Sequence, residues 1–310
     1  MNVIMGLENV PDGLVKSAVS IGIFDGVHLG HQTLLSVLRS EAERLSGPAV
    51  VLTFDRHPSE LLSQGNAPLY ITPLDRRLEL IQQTGVDLVV VAQFDEKLAA
   101  LTPEEFTDQV LIDRLKAASV VVGTNFRFGR KRMGDIEHLR RLGEERGFRV
   151  VGVEPIMVHG AKVSSTRVRH AIERGDVESA AKLLGRPFTL YGKVVTGLGL
   201  GRKLGFPTAN IDVVPKQIVP GYGVYGVRVQ IKENRFSGVC NIGTRPTLDL
   251  DERSIEVHID GFEGNIVGEE ISVMFHCRLR DEIKFGSLEE LIEQISKDIV
   301  TARKCLAAID

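Results

Sequence analysis

Gly22-Ile23-Phe24-Asp25-Gly26-Val27-His28-Leu29-Gly30-His31-Gln32 follows the apolar run Ala18–Phe24 and leads into a stretch of helical periodicity, Gln32–Leu45. A strand, a glycine-bearing loop and a helix start, in that order, make an anion site. Gly26 and Gly30 let backbone approach a ligand closely, and the first helical turn offers free N–H groups at the positive end of the dipole. Gly22, Phe24, Asp25 and Gly30 of this loop are candidate phosphate-binding positions. His28 and His31 stand on one face of that turn. Imidazoles there can donate hydrogen bonds to phosphate oxygens as charge builds during transfer. A metal pair and two capping histidines are the alternatives.

The same alternation extends on both sides. The runs Ala18–Phe24, Ala49–Phe54, Asp87–Phe94, Ser119–Gly123 and Phe148–Glu154 are nearly continuous in apolar character, which suits strands covered on both faces of a parallel sheet. Helical patterns separate them, among them Leu74–Thr84 and Pro103–Leu115. The latter has Thr102 at an N-cap, Pro103 in the first turn and Glu105 three residues beyond the cap. Gly85 and Gly147 fall where helices should stop. Repeated β-α units predict a doubly wound α/β domain over residues 1–184, with ligands at the carboxyl ends of its strands. His57, Pro58, Asn125 and Arg127 follow apolar runs and are expected at that cleft. A second basic stretch, Val163-Ser164-Ser165-Thr166-Arg167-Val168-Arg169, also opens a helix. The hydroxyls of Ser164, Ser165 and Thr166, with Arg169 one turn on, form either an ordinary N-cap or a second anion cradle, the other jaw around a triphosphate.

After Gly185-Arg186-Pro187 the pattern changes. Leu190–Val195, Val224–Ile231, Gly238–Ile242, Ser254–Ile259 and Ile271–Phe275 read as short strands between turn residues, an antiparallel barrel or sandwich over residues 185–310. One helix, Leu288–Ala308, closes the chain. Its stripe of Leu288, Leu291, Ile292, Ile295, Ile299 and Ala302 should pack on the barrel.

Composition bounds the function. A chain of 310 residues has room for about two domains. Lys+Arg 38 against Asp+Glu 41 gives a net charge of -3, and aromatics are 5% with no Trp, which leaves little for nucleic-acid binding. Arg130-Lys131-Arg132 beside Phe126 and Phe128 keeps that class as an alternative; a solvated loop is the plainer reading. No apolar run approaches the roughly 18 residues that a membrane-spanning helix needs, and the amino terminus lacks a basic segment followed by an apolar stretch. A cytoplasmic protein without membrane partners is expected. Cys240, Cys277 and Cys305 form no CxxC pair and are expected as buried thiols rather than a disulfide or zinc framework. No feature sets an oligomeric state.

Together Gly22–Gln32 and Val163–Arg169 resemble the nucleotidyltransferases that carry HxGH and (I/V)SSTx(I/V)R motifs. More narrowly the chain is similar to bacterial bifunctional riboflavin kinase/FMN adenylyltransferases. Those enzymes also show TFxPHP and GxxFxFG segments, here Thr53-Phe54-Asp55-Arg56-His57-Pro58 and Gly123-Thr124-Asn125-Phe126-Arg127-Phe128-Gly129. Arg56 stands where the family has proline. The resemblance implies a Rossmann-like adenylyltransferase domain, with flavin and ATP contacts from His57, Pro58, Asn125 and Arg127. FMN phosphate is already an anion, so its attack on the α-phosphorus of ATP needs positioning and charge stabilisation rather than a general base.

From Gly185 onward the chain resembles the riboflavin kinase domain of that family. Matching segments are Gly185-Arg186-Pro187-Phe188, Gly201-Arg202-Lys203-Leu204-Gly205-Phe206-Pro207-Thr208-Ala209-Asn210, Gly223-Val224-Tyr225, Asn241-Ile242-Gly243-Thr244-Arg245-Pro246-Thr247, Glu256-Val257-His258 and Arg280–Phe285. The glycines at 197, 199, 201 and 205, with Lys203, imply a phosphate-covering loop. Thr208 and Asn210 share one face of an extended segment and present oxygens to Mg²⁺ and ATP phosphates. Glu256 matches the family's catalytic carboxylate, which accepts the proton of the ribityl hydroxyl. Asn265-Ile266-Val267-Gly268 stands where members often have Leu-Tyr-Gly. The implied substrates are riboflavin, FMN and ATP, the products FMN and FAD, and the metal Mg²⁺. A rival reading makes the barrel a flavin-binding regulatory module.

Overall fold

The computed structural model describes residues 2–62, 67–197, 201, 204–246 and 251–309. The chain forms two compact units, Met1–Leu69 with Leu74–Ser164, and Tyr70–Pro73 with Ser165–Asp310.

In the first unit the strands are β1 (Asn2–Met5), β2 (Ser17–Ile21), β3 (Ala49–Phe54), β4 (Leu88–Ala92) and β5 (Ala117–Gly123). A hairpin of β6 (Arg127–Phe128) and β7 (Gly134–Asp135) precedes β8 (Arg149–Val153), and a second hairpin, β9 (Met157–Val158) with β10 (Ala161–Lys162), follows it. Six strands form one sheet in the order β1-β4-β3-β2-β5-β8, every pair parallel. Residues of β2, β3 and β4 are buried throughout. Alternate side chains explain why: Val19, Leu52, Val90 and Val120 join Leu111, Leu115 and Leu139 on one face. Ala18, Val51, Val89 and Val121 join Leu35, Leu38 and Ile81 on the other.

The covering helices are α1 (Leu29–Leu45), α2 (Pro58–Leu62), α3 (Leu74–Gln82), α4 (Glu96–Ala100), α5 (Pro103–Phe106) and α6 (Ile136–Arg146). Thr102 and Glu105 close a reciprocal capping box at the start of α5. Gly147 ends α6 in the left-handed region, at φ 80°. Two features depart from the sequence reading. The segment after α5 winds as a π-helix, Thr107–Arg114, rather than continuing as α. The amino-terminal strand β1 adds an edge to the sheet beside β4.

The second unit opens with α7 (Ser165–Glu173) and α8 (Val177–Leu184). A closed antiparallel barrel follows, from β11 (Phe188–Val195), β12 (Thr208–Val213), β13 (Gly223–Ile231), β14 (Asn234–Pro246), β15 (Asp251–Ile259) and β16 (Glu270–Arg280), in the order β11-β12-β15-β14-β13-β16. Closure removes the exposed edges that a sandwich would keep. Phe188, Tyr225 and Phe275 fill its core, the last two edge to face at 5.3 Å. The final helix α9 (Leu288–Ala307) buries Ile299, Ala302 and Leu306. The forward end of the expected stripe is open instead, with Leu288 54% exposed.

The expectation of three thiols fails for two of them. Cys277 of β16 and Cys305 of α9 form a disulfide, their Cα atoms 6.9 Å apart, whereas Cys240 is a buried free thiol. Docking of α9 on the barrel creates this pair, and Gly226 leaves room for it, since a Cβ there would lie 2.8 Å from the Cys277 sulfur.

Candidate active sites

Strand β2 lies between β3 and β5, and the chain winds outward from it in both directions. The crevice at such a reversal opens at the carboxyl ends of the two central strands. The Gly22–His31 loop leaves β2 there, and Thr124–Gly129 leaves β5 at the same edge. Backbone strain marks the first loop. Phe24 (φ 54°), Gly26 (φ 80°) and the β-branched Val27 (φ 40°) all occupy the left-handed region. Bracing comes from Gln32 Nε2, which donates to the Val27 carbonyl at 2.8 Å, and from burial of the Phe24 ring. Asp25 is buried in the same loop.

His28 is the N-cap of α1, its Nδ1 accepting from the His31 backbone N–H at 3.3 Å. An acceptor at Nδ1 leaves the proton of the neutral ring on Nε2. The two imidazoles stack with centroids 3.6 Å apart and planes 13° from parallel. Burial pushes the His31 ring well below its ordinary pKa, and the neighbouring His28 and Arg77 push it the same way. The stacked pair therefore disfavours two positive charges, and a neutral His31 keeps a single N–H donor. Gly30 keeps the loop tight: a Cβ there would touch the His28 ring at 3.3 Å and lie 4.0 Å from the Val163 carbonyl. Val163 is the residue immediately before Ser164.

His57 follows β3, its Nδ1 accepting the Ser59 backbone N–H at 3.2 Å while its backbone N–H donates to Glu60 Oε1 at 3.2 Å. Pro58 starts α2. Arg56 pairs with Asp55 at 3.5 Å. Asn125 and Arg127 are exposed, and Arg127 is tied to Asp135 across the β6–β7 hairpin at 2.7 Å. Ser165 and Thr166 open α7 in the second unit, and Arg169 follows one turn on.

In the barrel, β12 and β15 pair with Thr208 opposite His258 and Asn210 opposite Glu256. Thr208 Oγ1 donates to Glu256 Oε2 at 3.1 Å. Thr208 is shared by two cavities. One, of about 420 Å³, is lined by Thr208 and Asn210 together with Phe262, Ile266 and Val267. The other, of about 340 Å³, is lined by Thr208 and Glu256 with His258, Arg280, Phe285 and Leu291. Glycines leave space beside the oxygen donors: a Cβ on Gly201 would lie 3.1 Å from Thr208 Oγ1, and one on Gly197 would collide with the Asn210 amide at 2.0 Å. Gly205 turns the loop at φ 84°. Lys203, Gly199 and Thr247 lie outside the described residues.

Among the described residues no group of three or more His, Cys, Asp or Glu side chains could hold a metal ion. Thr208 and Asn210 nonetheless fit Mg²⁺, which takes few protein oxygens and completes its shell with water and phosphate. Two groups on the second cavity escaped the sequence reading. Asp298, buried in α9, receives Arg280 Nε at 3.0 Å and Gln294 Nε2 at 2.8 Å. A charged residue inside the apolar stripe Ile295–Ala302 was the available signal. His258, two residues from Glu256 on the same strand face, is the other.

The FAD synthetase family profile matches residues 11–167 and the riboflavin kinase profile residues 184–306. A bifunctional riboflavin kinase/FMN adenylyltransferase from Haemophilus influenzae is 39% identical over 304 residues, covering 98% of either chain. Its Escherichia coli K12 counterpart is 39% identical over 306 residues, 98% of this chain and 97% of that one. A Streptococcus pneumoniae crystal structure described as a macrolide-efflux protein shares the fold across 98% of this chain and 99% of its own, with TM-score 0.88 and 32% identity. No helix among the described residues is long and apolar enough to cross a membrane. The strained, histidine-capped loop at the sheet reversal and the Thr208–Glu256 pair between two barrel cavities thus stand in a chain that belongs to the bifunctional riboflavin kinase/FMN adenylyltransferase family, an enzyme that phosphorylates riboflavin and adenylylates FMN.

Proposed function

We propose that riboflavin phosphorylation is run by Glu256, with Thr208 and Asn210 holding Mg²⁺ and the ATP phosphates, and that adenylyl transfer is run by the His28–His31 loop. The carrying observation is the hydrogen bond from Thr208, which lines both barrel cavities, to Glu256, which lines the smaller one. It puts a carboxylate beside the metal-binding oxygen, so riboflavin in the smaller cavity would meet ATP from the larger one across Thr208. Glu256 takes the proton of the terminal ribityl hydroxyl as that oxygen attacks the γ-phosphorus, and ADP leaves. Bound Mg²⁺ supplies neutralisation of phosphate charge. Gly201, Gly205 and Lys203 are assigned to the phosphate-covering loop.

In adenylyl transfer the FMN phosphate oxygen attacks the α-phosphorus and pyrophosphate leaves. The Nε2–H of His28 and the single N–H of His31 donate to the phosphates, helped by the amino terminus of α1. Gly22, Phe24, Asp25 and Gly30 shape that loop. The SSTxxR motif supports phosphate-binding roles for Ser164, Ser165, Thr166 and Arg169, and the resemblance supports flavin contacts from His57, Pro58, Asn125 and Arg127. The catalytic modules are taken as residues 1–184 and 185–310. Both reactions consume ATP, which favours the cytoplasm, and the partners are small molecules, with no part for nucleic acid or membrane.

The test is a product-resolved assay of H28A/H31A. FAD formation from supplied FMN should fall by at least about 100-fold, since one preorganised donor is worth about 3 kcal/mol, while FMN formation from riboflavin holds. Chelation of Mg²⁺ should stop both reactions in the unmodified enzyme. Equal loss of both activities in the double variant would refute the assignment of the loop.

A further inference from the structure

His258 faces the smaller barrel cavity with Glu256, and its Nδ1 lies 3.0 Å from the Pro207 carbonyl oxygen. A carbonyl only accepts, so Nδ1 carries the proton, and the tautomer is set by this contact. Pro207 has no N–H, and its carbonyl precedes the β12–β15 ladder, whose first pair is Thr208 with His258. His258 therefore supplies from a side chain the hydrogen bond that the ladder does not yet give. The Phe206 ring stands edge-on to the imidazole at 6.0 Å, and Phe206 N–H is bonded to Gly201 O at 2.8 Å. The His258 contact thus holds the carbonyl of the peptide joining Pro207 to Thr208, the Phe206–Gly201 bond anchors the chain just before it, and Thr208, the next residue, donates to Glu256.

We infer that His258 is a positioning residue of the kinase site. It orients the Pro207–Thr208 peptide and, through Thr208, holds both the metal-binding oxygen and the Glu256 carboxylate in line with the ribityl hydroxyl. The inference rests on the reading of Glu256 as the base. His258 takes no proton from substrate in this scheme. Asp260, the next acid along β15's exit, is engaged by Arg303 in two contacts of 2.7 Å.

The side-chain amide nitrogen of Asn reaches where His Nδ1 sits, whereas that of Gln reaches where Nε2 sits. The experiment compares H258A, H258Q, H258N and E256Q in the full-length enzyme, with kinase kcat, riboflavin KM and pH profile measured for each. FMN adenylylation and the melting curve report on integrity. H258A and H258Q should lose about 30- to 100-fold in kinase kcat, the scale of an ångström-level misplacement, with riboflavin KM within about threefold. H258N should recover kcat to within about threefold and keep the wild-type pH profile. Wild-type kcat in H258A would overturn the inference. So would H258N that is as slow as H258A and lacks an acid limb present in the wild type, because His258 would then be transferring a proton. Wild-type kinase activity in E256Q would overturn the base assignment itself, whatever the His258 variants do.

Discussion

Replacing Glu256 by Gln changes one proton acceptor and little else. Glutamine has the same shape, and its amide oxygen can still accept from Thr208 Oγ1, now 3.1 Å from Glu256 Oε2. The half-buried site should therefore lose less than about 1 kcal/mol of stability, the scale of one neutral hydrogen bond. What disappears is the basicity that takes the ribityl proton. A positioned general base contributes about 100- to 10,000-fold, equivalent to about 3 to 5 kcal/mol of barrier. Kinase kcat should fall by that factor, while the KM values for riboflavin and ATP move by less than about threefold, because the ground-state contacts persist. The assay separates riboflavin, FMN and FAD chromatographically at saturating riboflavin and Mg·ATP, with a parallel reaction started from FMN. Adenylylation of FMN should proceed at the wild-type rate. A kinase kcat within about tenfold of wild type would refute the base assignment, and a matching loss of adenylylation would show that the substitution acts through folding.

Three further outcomes follow from the structure. His31 is held uncharged by burial, His28 and Arg77, so the unfolded chain binds a proton below the ordinary histidine value that the folded chain refuses. Stability of the first unit should then be full above about pH 6.5 and fall by up to about 1.4 kcal/mol for each pH unit below it, a slope that H31F removes in pH-dependent denaturant melts. Asp298 and Arg280 form an ion pair with side chains 7% and 18% exposed; D298A leaves the largely buried guanidinium without its carboxylate, keeping only the Asp281 carbonyl and the Phe285 ring, and should cost the second unit about 3 kcal/mol in chemical denaturation. The Cys277–Cys305 bridge closes a sequence separation of 28, so C277S/C305S or reduction should lower stability by about 3 kcal/mol, and a thiol titration should rise from one group to three. Unchanged melts in any of these would contradict the corresponding contact.

The parallel sheet was legible because strands buried on both faces must be apolar at every position, and Ala49–Phe54 and Leu88–Ala92 are. The start of α5 was legible because capping chemistry is local: Thr102, Pro103 and Glu105 act within one turn. What stayed hidden depends on distant packing. The π-form of Thr107–Arg114 is not written in its composition; the buried Thr107 hydroxyl bonds back to the Pro103 carbonyl at the junction where the winding changes. Strand β1 is four residues long and gains its identity only by pairing with β4. Strand β12, Thr-Ala-Asn-Ile-Asp-Val, carries too little apolar alternation to read as a strand without its motif. Cys277 and Cys305 meet only because α9 docks on β16, and no spacing rule foretells that.

The same division holds at the sites. Glycines and histidines beside a helix start are readable as anion chemistry, so the His28–His31 loop was a candidate from its residues alone, whereas Thr208 and Asn210, at the start of a strand, were candidates only through the family motif. The strain and tautomer of the loop were not readable. Val27 in the left-handed region and Nδ1 of His28 as an acceptor are consequences of loop closure over the sheet end. His258 belongs to the Glu256-Val257-His258 segment, which assigned a role to Glu256 alone, and only the Pro207 contact gives it a task.

Complementation in trans examines most directly whether one polypeptide holds two independent catalytic centres. E256Q and H28A/H31A are each supplied with riboflavin, Mg²⁺ and ATP, first alone and then as an equimolar mixture, and FAD is quantified. Neither variant alone should make FAD at more than a trace, and the mixture should make it steadily after a lag in which free FMN builds up. A mixture that yields no FAD while FMN accumulates, or a single variant that completes both steps unaided, would contradict the account.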